Sequence, residues 1–396
     1  MEEHTIRPGD VAFGLAAVFL FGTFAATYGW HIDIAFLCLC MLAAGTIVYV
    51  PGMRSKRFFI LVAAALFTFP LSVFYYHLRV PAKAESAAFP TAAAVNPVFT
   101  RAAAVFEGAL PYRQASLLAG IVSGSTTVLA PDVKAAMSRS GTSYLIGMYG
   151  YKIYLLVGAV FEACKRFCPR RVAALLAMTA VALFVALANA PVSALRAGVM
   201  AGLAMLAEMS GRKFNARIAL MYTALLMAVF DPAILGSGGF ILSFMSLVGI
   251  YALAPALGTL LPAAAVGGNK DGFLSWRSHL TVTAAVNLAI MPVVCVTYGD
   301  FPAISFISNF LVAPPFGAVI GMGIALAVAG NLFAGAATIF APVLNILLSY
   351  QLFIMDTFAR AAWTIPAVFS SPFLLAAYYS ALAWFAFRRV PAARPS

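Results

Sequence analysis

The apolar positions of this chain fall in long unbroken runs rather than in stripes. Runs of roughly 17–25 residues, enough to cross a bilayer as a helix, recur from end to end. They lie near 11–29, 33–50, 58–77, 143–163, 172–188, 192–210, 216–230, 238–262, 280–298, 303–330, 335–361 and 372–388. Strands of a membrane barrel would be about ten residues long and would alternate in polarity. These runs do not alternate, and backbone groups in lipid must pair internally, which leaves helices. The expectation is an all-α polytopic membrane protein with about 10–12 transmembrane helices, some broken or re-entrant. The run 303–330 contains Pro314-Pro315 followed by four glycines, so a bend or split is expected there.

One long polar-interrupted segment, 78–140, separates the first runs from the rest. It begins with an Ala- and Pro-rich stretch, PAKAESAAFPTAAAVNP, which lacks any strand pattern. Val98, Phe99, Ala102, Val105 and Phe106 then fall on one helical face with Arg101 opposite, predicting a short amphipathic helix on the membrane surface. A second helix is predicted over 112–122, ending at Ser123-Gly124-Ser125. A third starts at Pro131-Asp132, residues that suit a first turn, and is capped by Gly141. The organisation read from this is 1–77 as N-terminal membrane helices, 78–140 as an extracytoplasmic linker, 141–330 as a channel core and 331–396 as C-terminal helices with a basic tail.

Composition agrees with the pattern: 63% of the 396 residues are hydrophobic and 10% charged, far below the roughly 25% charged of soluble domains. The formal net charge is +12. With the N-terminus placed inside, the inside loops hold Arg54, Lys56 and Arg57, then Lys165, Arg166, Arg170 and Arg171, then Arg212 and Lys213. The short outside loops near 30–32, 189–191, 231–237, 299–302 and 362–371 hold no Lys or Arg. That asymmetry predicts cytoplasmic termini and accounts for most of the basic charge. The acidic start MEEHTIRPGD does not resemble a signal-peptide n-region, so the first run is read as a retained helix. The five cysteines sit in or beside apolar runs and make no disulfide framework.

The chemistry of an enzyme is hard to assemble. The four histidines lie far apart, no GxxxxGK[ST] loop occurs, and no nucleophile–base set can be named. A non-enzyme without cofactor or metal is expected. Asp356 lies inside an apolar run one helical turn from Arg360, an i, i+4 spacing that predicts a self-neutralising pair. The stretch SGTSYLIGMYGYK is unusual for the mouth of a membrane helix. Gly141, Gly147 and Gly150 offer close-approach points, and Thr142 and Ser143 can bond backbone groups where the helix starts. A plain helix crossing would also explain it. Lys152 is harder to dismiss, because an intramembrane lysine needs a polar partner or cavity. Arg196, about one turn after Pro191, either snorkels to headgroups or faces an outer vestibule. Gly236 to Phe244 clusters glycines, Gly239 among them, with Phe240 and Ser243 at a helix start whose open N–H groups suit an anion. Asn287, Pro292, Asn309 and Pro314 put amides and breaks inside apolar runs, where freed backbone groups need partners or a wet cavity.

Five stretches occur in a telling order: LLAGIVSG (117–124), SGTSYLIGMYGYKI (140–153), LRAGVMAGLAMLAEMSGRK (195–213), DPAILGSGGFILSFMSLVGI (231–250) and MPVVCVTYGDFPAISFISNFLVAPPF (291–316). Together they resemble the ComEC-type competence protein family, the inner-membrane channels of DNA uptake in natural transformation. The family commonly has histidines where this chain has Tyr144 and Lys152, a serine where it has Tyr149, and a polar residue where it has Ile241. The resemblance implies a short, core-only form without the OB-type barrel and without the metallo-β-lactamase-like domain. It implies a multi-pass protein of the bacterial inner membrane that passes single-stranded DNA. Partners would be the lipid bilayer, an extracytoplasmic DNA receptor, a cytoplasmic ATP-driven motor and a separate nuclease. Arg139, Gly141, Thr142, Ser143, Gly147, Gly150, Lys152, Arg196, Gly239, Phe240, Ser243, Asn287, Pro292, Asn309 and Pro314 would line the DNA path. A small-solute or anion transporter on the same fold, or a degenerate or split member, is the alternative.

Overall fold

The computed structural model describes residues 8–27, scattered positions between 64 and 79, 96–260, 276–333, 335–361, 363–366 and 371–389. The spans read at 33–50 and over most of 58–77, the Ala-rich stretch before Asn96, the loop 261–275 and the tail after Arg389 lie outside these residues.

The described chain is helical. In order, α1 is Pro8–Thr27, α2 Pro97–Ala109, α3 Tyr112–Ser123 and α4 Pro131–Ser140. After a single 3₁₀ turn, Ser143–Leu145, come α5 Tyr149–Cys164, α6 Arg170–Leu187, α7 Val192–Met209 and α8 Ala216–Phe230. Helix α9, Gly238–Val248, runs through a π-helical turn, Gly249–Leu253, into α10, Ala254–Gly258. Then follow α11 Trp276–Tyr298, α12 Ser305–Val312, α13 Phe316–Leu332, α14 Ala336–Arg360 and α15 Pro372–Arg389. A two-residue antiparallel ribbon pairs Phe301 with Ile365 and Pro302 with Thr364.

Among the described residues six helices are long and apolar enough to cross a membrane. The pair Ser305–Val312 and Phe316–Asn331, bent by 51° at the Pro314-Pro315 break, has the length and composition of a broken span or a re-entrant loop. Leu15–Thr27, Ile218–Phe230 and Phe373–Ala386 are shorter apolar helices. The protein is therefore an all-α polytopic membrane protein, with the expected broken helix.

By internal packing the chain divides into two compact units, Met1–Thr91 with Val199–Phe240, and Ala92–Gly198 with Ile241–Ser396. In the first, α1 packs on α8, and the Tyr75 hydroxyl donates to the Val229 carbonyl at 2.5 Å. The second holds the largest core, built around Phe106, Leu117, Leu118, Ile121, Met137, Ile320, Leu326 and Leu344. These side chains come from α2, α3 and α4 on one side and α13 and α14 on the other. The three short helices appear where the sequence placed them. The expected surface position of α2 does not hold, because Ala102 and Phe106 are buried in that core. Gly330 lets Val105 approach α13, and a Cβ on Gly323 would come within 2.7 Å of the Leu118 side chain. Residues on both sides of 140 and of 330 share this core. Residues 199–240, read as part of the channel core, cluster with the N-terminal unit.

Candidate functional site

The polar groups that the sequence scattered through apolar runs gather in a few settings. One is a buried seam at the corner after α4. Helix α4 ends in a Schellman turn. Gly141 has φ +70°, its N–H donates to Ser138 O at 3.2 Å, and the Thr142 N–H donates to Met137 O at 2.9 Å. The glycine is needed twice over, because a Cβ there would lie 2.6 Å from the Ser305 Cβ and 2.7 Å from the Pro302 Cγ. That contact seats the corner on the start of α12. The Ser308 hydroxyl donates to the Ser140 carbonyl at 2.6 Å, and the Ser140 and Thr142 hydroxyls pair at 2.9 Å. Asn287, on α11, closes the seam: its amide bonds the Ser305 carbonyl at 3.5 Å and its Oδ1 accepts from the Ser305 hydroxyl at 3.4 Å. Asn309 is buried beside it with its Oδ1 unpartnered.

The helix breaks are satisfied by side chains from neighbouring helices. Pro292 has no N–H to offer the Leu288 carbonyl one turn earlier, and the Tyr378 hydroxyl of α15 donates to it at 2.9 Å. Pro315 likewise frees the Leu311 carbonyl, which accepts from the Tyr350 hydroxyl at 3.0 Å. The adjacent Val312 carbonyl accepts from the Gln351 amide at 3.3 Å. Side chains of neighbouring helices bond these backbone groups.

The stretch after the corner differs from the expectation. Gly147 lies in the turn before α5 and Gly150 in its first turn, both exposed, so they do not form one helical close-approach face. A Cβ on Gly150 would meet nothing within 4 Å. The Thr142 hydroxyl bonds Ser140 rather than the start of the helix, and Ser143 is exposed. Lys152 is 2% exposed. Its ammonium donates to the Ile146 carbonyl at 2.9 Å and sits 4.6 Å over the Tyr149 ring. The Tyr149 hydroxyl in turn donates to the Gly124 carbonyl at 3.1 Å. Lys152 thus ties the Ile146–Met148 turn to α5, and Tyr149 ties α5 to the end of α3.

Two of the five sequence motifs meet at Arg196. Its Nε donates to the Ser243 hydroxyl, and its guanidinium lies 6.0 Å from the centre of the Phe244 ring. Arg196 therefore reaches α9 rather than extending along its own helix. Gly239 and Phe240 occupy the first turn of the same α9, where the Ser237 hydroxyl accepts from the Phe240 N–H at 3.2 Å. That N–H, expected to be open to an anion, is already occupied.

The last setting is a recess of about 480 Å³ between the ends of α4 and α14, lined by Arg113, Asp132, Ala135, Ala136, Arg139, Asp356, Ala359 and Arg360. Arg113 holds both carboxylates. Its Nη atoms bond the two Asp356 oxygens at 2.9 Å each, and its Nε is 2.7 Å from Asp132 Oδ2. The bonds with Asp356 are the main cause that raises the Arg113 pKa above its ordinary value, with partial burial opposing them. The predicted Asp356–Arg360 pair does not form. Asp356 turns to Arg113, which offers a two-pronged fork that an exposed neighbour on the same helix does not.

The recess brings in one predicted residue, Arg139. Lys152 and Arg196 have different partners in different settings. Sequence reasoning missed Arg113, Asp132 and Arg360 as members of a site, and Ser305, Ser308 and Gln351 as members of the seam. For the seam a signal existed, since serines and a glutamine recur inside apolar runs. For the recess none did, because its members come from three helices.

A model described as Competence protein matches residues 121–391. The chain belongs to the competence protein family. No match was found among curated proteins or among solved structures. The matched range includes the Arg196–Ser243 contact and the buried seam, and all of the recess lining except Arg113, so this competence family member carries most of its polar settings inside the part that defines the family.

Proposed function

We propose that this competence protein is a multi-pass translocase of the bacterial inner membrane that passes single-stranded DNA inward during natural transformation. The observation that carries the reading is the family match itself, which spans 121–391 and so runs from the end of α3 through all of α15. The arrangement of side chains supports it. A basic residue inside a membrane helix is held by a hydroxyl and an aromatic ring on another, and a broken helix carries a seam of buried hydroxyls and amides. Such groups are costly in apolar surroundings and mark transport paths. A DNA receptor outside and an ATP-driven motor inside would complete the system.

Deleting the gene should abolish delivery of labelled DNA to the cytoplasm; delivery at the parental rate would refute the reading. Within it, Arg196→Ala removes the guanidinium that bridges α7 and α9 and should lower uptake at least tenfold. Lys152→Ala removes the donor to Ile146 and should also lower uptake. Membrane levels of both variants, read by immunoblot, should match the parent. Parental uptake in both variants would remove these two residues from the path.

A further inference from the structure

The recess beside α4 and α14 has a charge arrangement that the predicted Asp356–Arg360 pair would have abolished. Asp132 and Asp356 are both committed to Arg113. Arg139 and Arg360, in the last turns of α4 and α14, have no partner among the described residues and are exposed. Three guanidiniums and two carboxylates leave the recess a formal charge of +1, concentrated on two free forks. Alanines 135, 136 and 359 supply the rest of the lining, so no bulky side chain blocks approach. At about 480 Å³ the recess is within the usual size of a ligand cleft, roughly 300–1,000 Å³.

We propose that this recess is a phosphodiester-binding site for the single-stranded DNA substrate, with Arg139 and Arg360 gripping a backbone phosphate. The inference rests on the DNA-uptake reading and adds the place and chemistry of one contact. Guanidinium forks match phosphate oxygens in pairs, which a lysine cannot do. A net charge of +1 suits the single negative charge of an internal phosphodiester better than a terminal phosphate, which carries about −1.5 to −2 at neutral pH. The role of Arg113 follows. By holding both aspartates it keeps them from neutralising Arg139 and Arg360, so it is a positioning residue rather than a contact. Two exposed aromatics adjoin the recess in sequence: Tyr112 precedes Arg113, and Trp363 follows Arg360 by three positions. Aromatic faces of this kind stack unpaired bases without regard to sequence. Open exposure keeps the grip weak and salt-dependent, as a strand that must move on requires.

The test uses the full chain in zwitterionic-lipid nanodiscs and a fluorescent 5′-hydroxyl oligothymidylate of about 15 nucleotides. Affinity is measured across a salt series for the parent, Arg139→Gln/Arg360→Gln and Arg139→Lys/Arg360→Lys. Loss of the grip on one phosphate should cut the slope of log K against log salt by about 0.7, the value per phosphate for a single strand. Affinity should fall at least tenfold in the glutamine pair and less in the lysine pair. A 5′-phosphate on the probe should not strengthen binding. A second measurement needs no variant: phenylglyoxal modification of Arg139 and Arg360 in the parent, mapped by mass spectrometry, should be blocked by the oligonucleotide. Unchanged affinity and slope in the glutamine pair, or no protection of either arginine, overturns the proposal. Protection by phosphatidylglycerol nanodiscs alone, with loss of oligonucleotide binding there, also overturns it and makes the recess a lipid-headgroup site. The outcomes separate the two readings. Parental uptake in the deletion strain refutes DNA transport itself. If deletion abolishes uptake but the glutamine pair restores it fully and binds DNA like the parent, only the recess assignment falls.

Discussion

Gly141 and Gly150 belong to the same short stretch, yet the structure gives them different weight. At Gly141 the backbone is left-handed, φ +70°, and a Cβ would strike Ser305 and Pro302. Gly141→Ala should cost about 2–4 kcal/mol, the left-handed penalty plus overpacking, and should lower the thermal midpoint of the purified protein. Gly150 is exposed in the first turn of α5 with open space around it. Gly150→Ala should be neutral or gain up to about 1 kcal/mol. Equal losses for both variants would refute the seating of the α4 corner on α12. Asp356 shows the same dependence on surroundings. Its spacing to Arg360 suits a helical pair, but the fork of Arg113 wins because two hydrogen bonds at 2.9 Å outweigh a single flexible contact.

Among the elements, the broken helices are the informative ones. A proline in a membrane helix exposes a carbonyl, and the carbonyls freed by Pro292 and Pro315 are each met from a specific neighbour. Tyr350 and Gln351 on α14 complete the end of α12, and Tyr378 on α15 completes α11. Tyr350→Phe and Tyr378→Phe should each cost about 1–3 kcal/mol, because the carbonyl left behind is unsatisfied. Tyr112→Phe, at an exposed position without such a bond, should be silent. Thermal unfolding of the three variants side by side checks this; a silent Tyr350→Phe would mean that the break at Pro314-Pro315 is completed by something else. The sequence located this break from two prolines and the glycines behind them. It did not identify the completing groups, since a tyrosine or glutamine in an apolar run reads the same whether it packs or bonds.

At the scale of the molecule, the loop charges predict sidedness. A cysteine introduced at Ser138, beside the recess, should react with a membrane-impermeant maleimide added to intact spheroplasts of a cysteine-free background. One introduced at Arg166, in the basic loop after α5, should react only after permeabilisation. The reverse pattern would invert the topology and place the recess on the cytoplasmic side, where it would meet the strand on exit. The same scale shows where reading the chain in order misleads. The segment 78–140 reads as an extracytoplasmic linker because it is the one long outside stretch between apolar runs. Its helices α2, α3 and α4 form one side of the main core, and α13 and α14 form the other. Short helices with a modest apolar face acquire burial from partners that arrive two hundred residues later, and local hydropathy does not register them.

The sequence by itself determined the class, most helix positions, the split at Pro314-Pro315 and the glycine cap at Gly141. Each depends on local quantities: run length, the missing N–H of proline and the absent Cβ of glycine. Its ordered motifs also pointed to the competence family. Only the tertiary structure decided which polar groups meet. Arg196 engages Ser243 from another helix, and Asp356 leaves its own helix for Arg113. The physical reason is that charge and hydrogen-bond pairing depend on distances of about 3 Å in space, and residues far apart along the chain reach such distances only after the helices have packed.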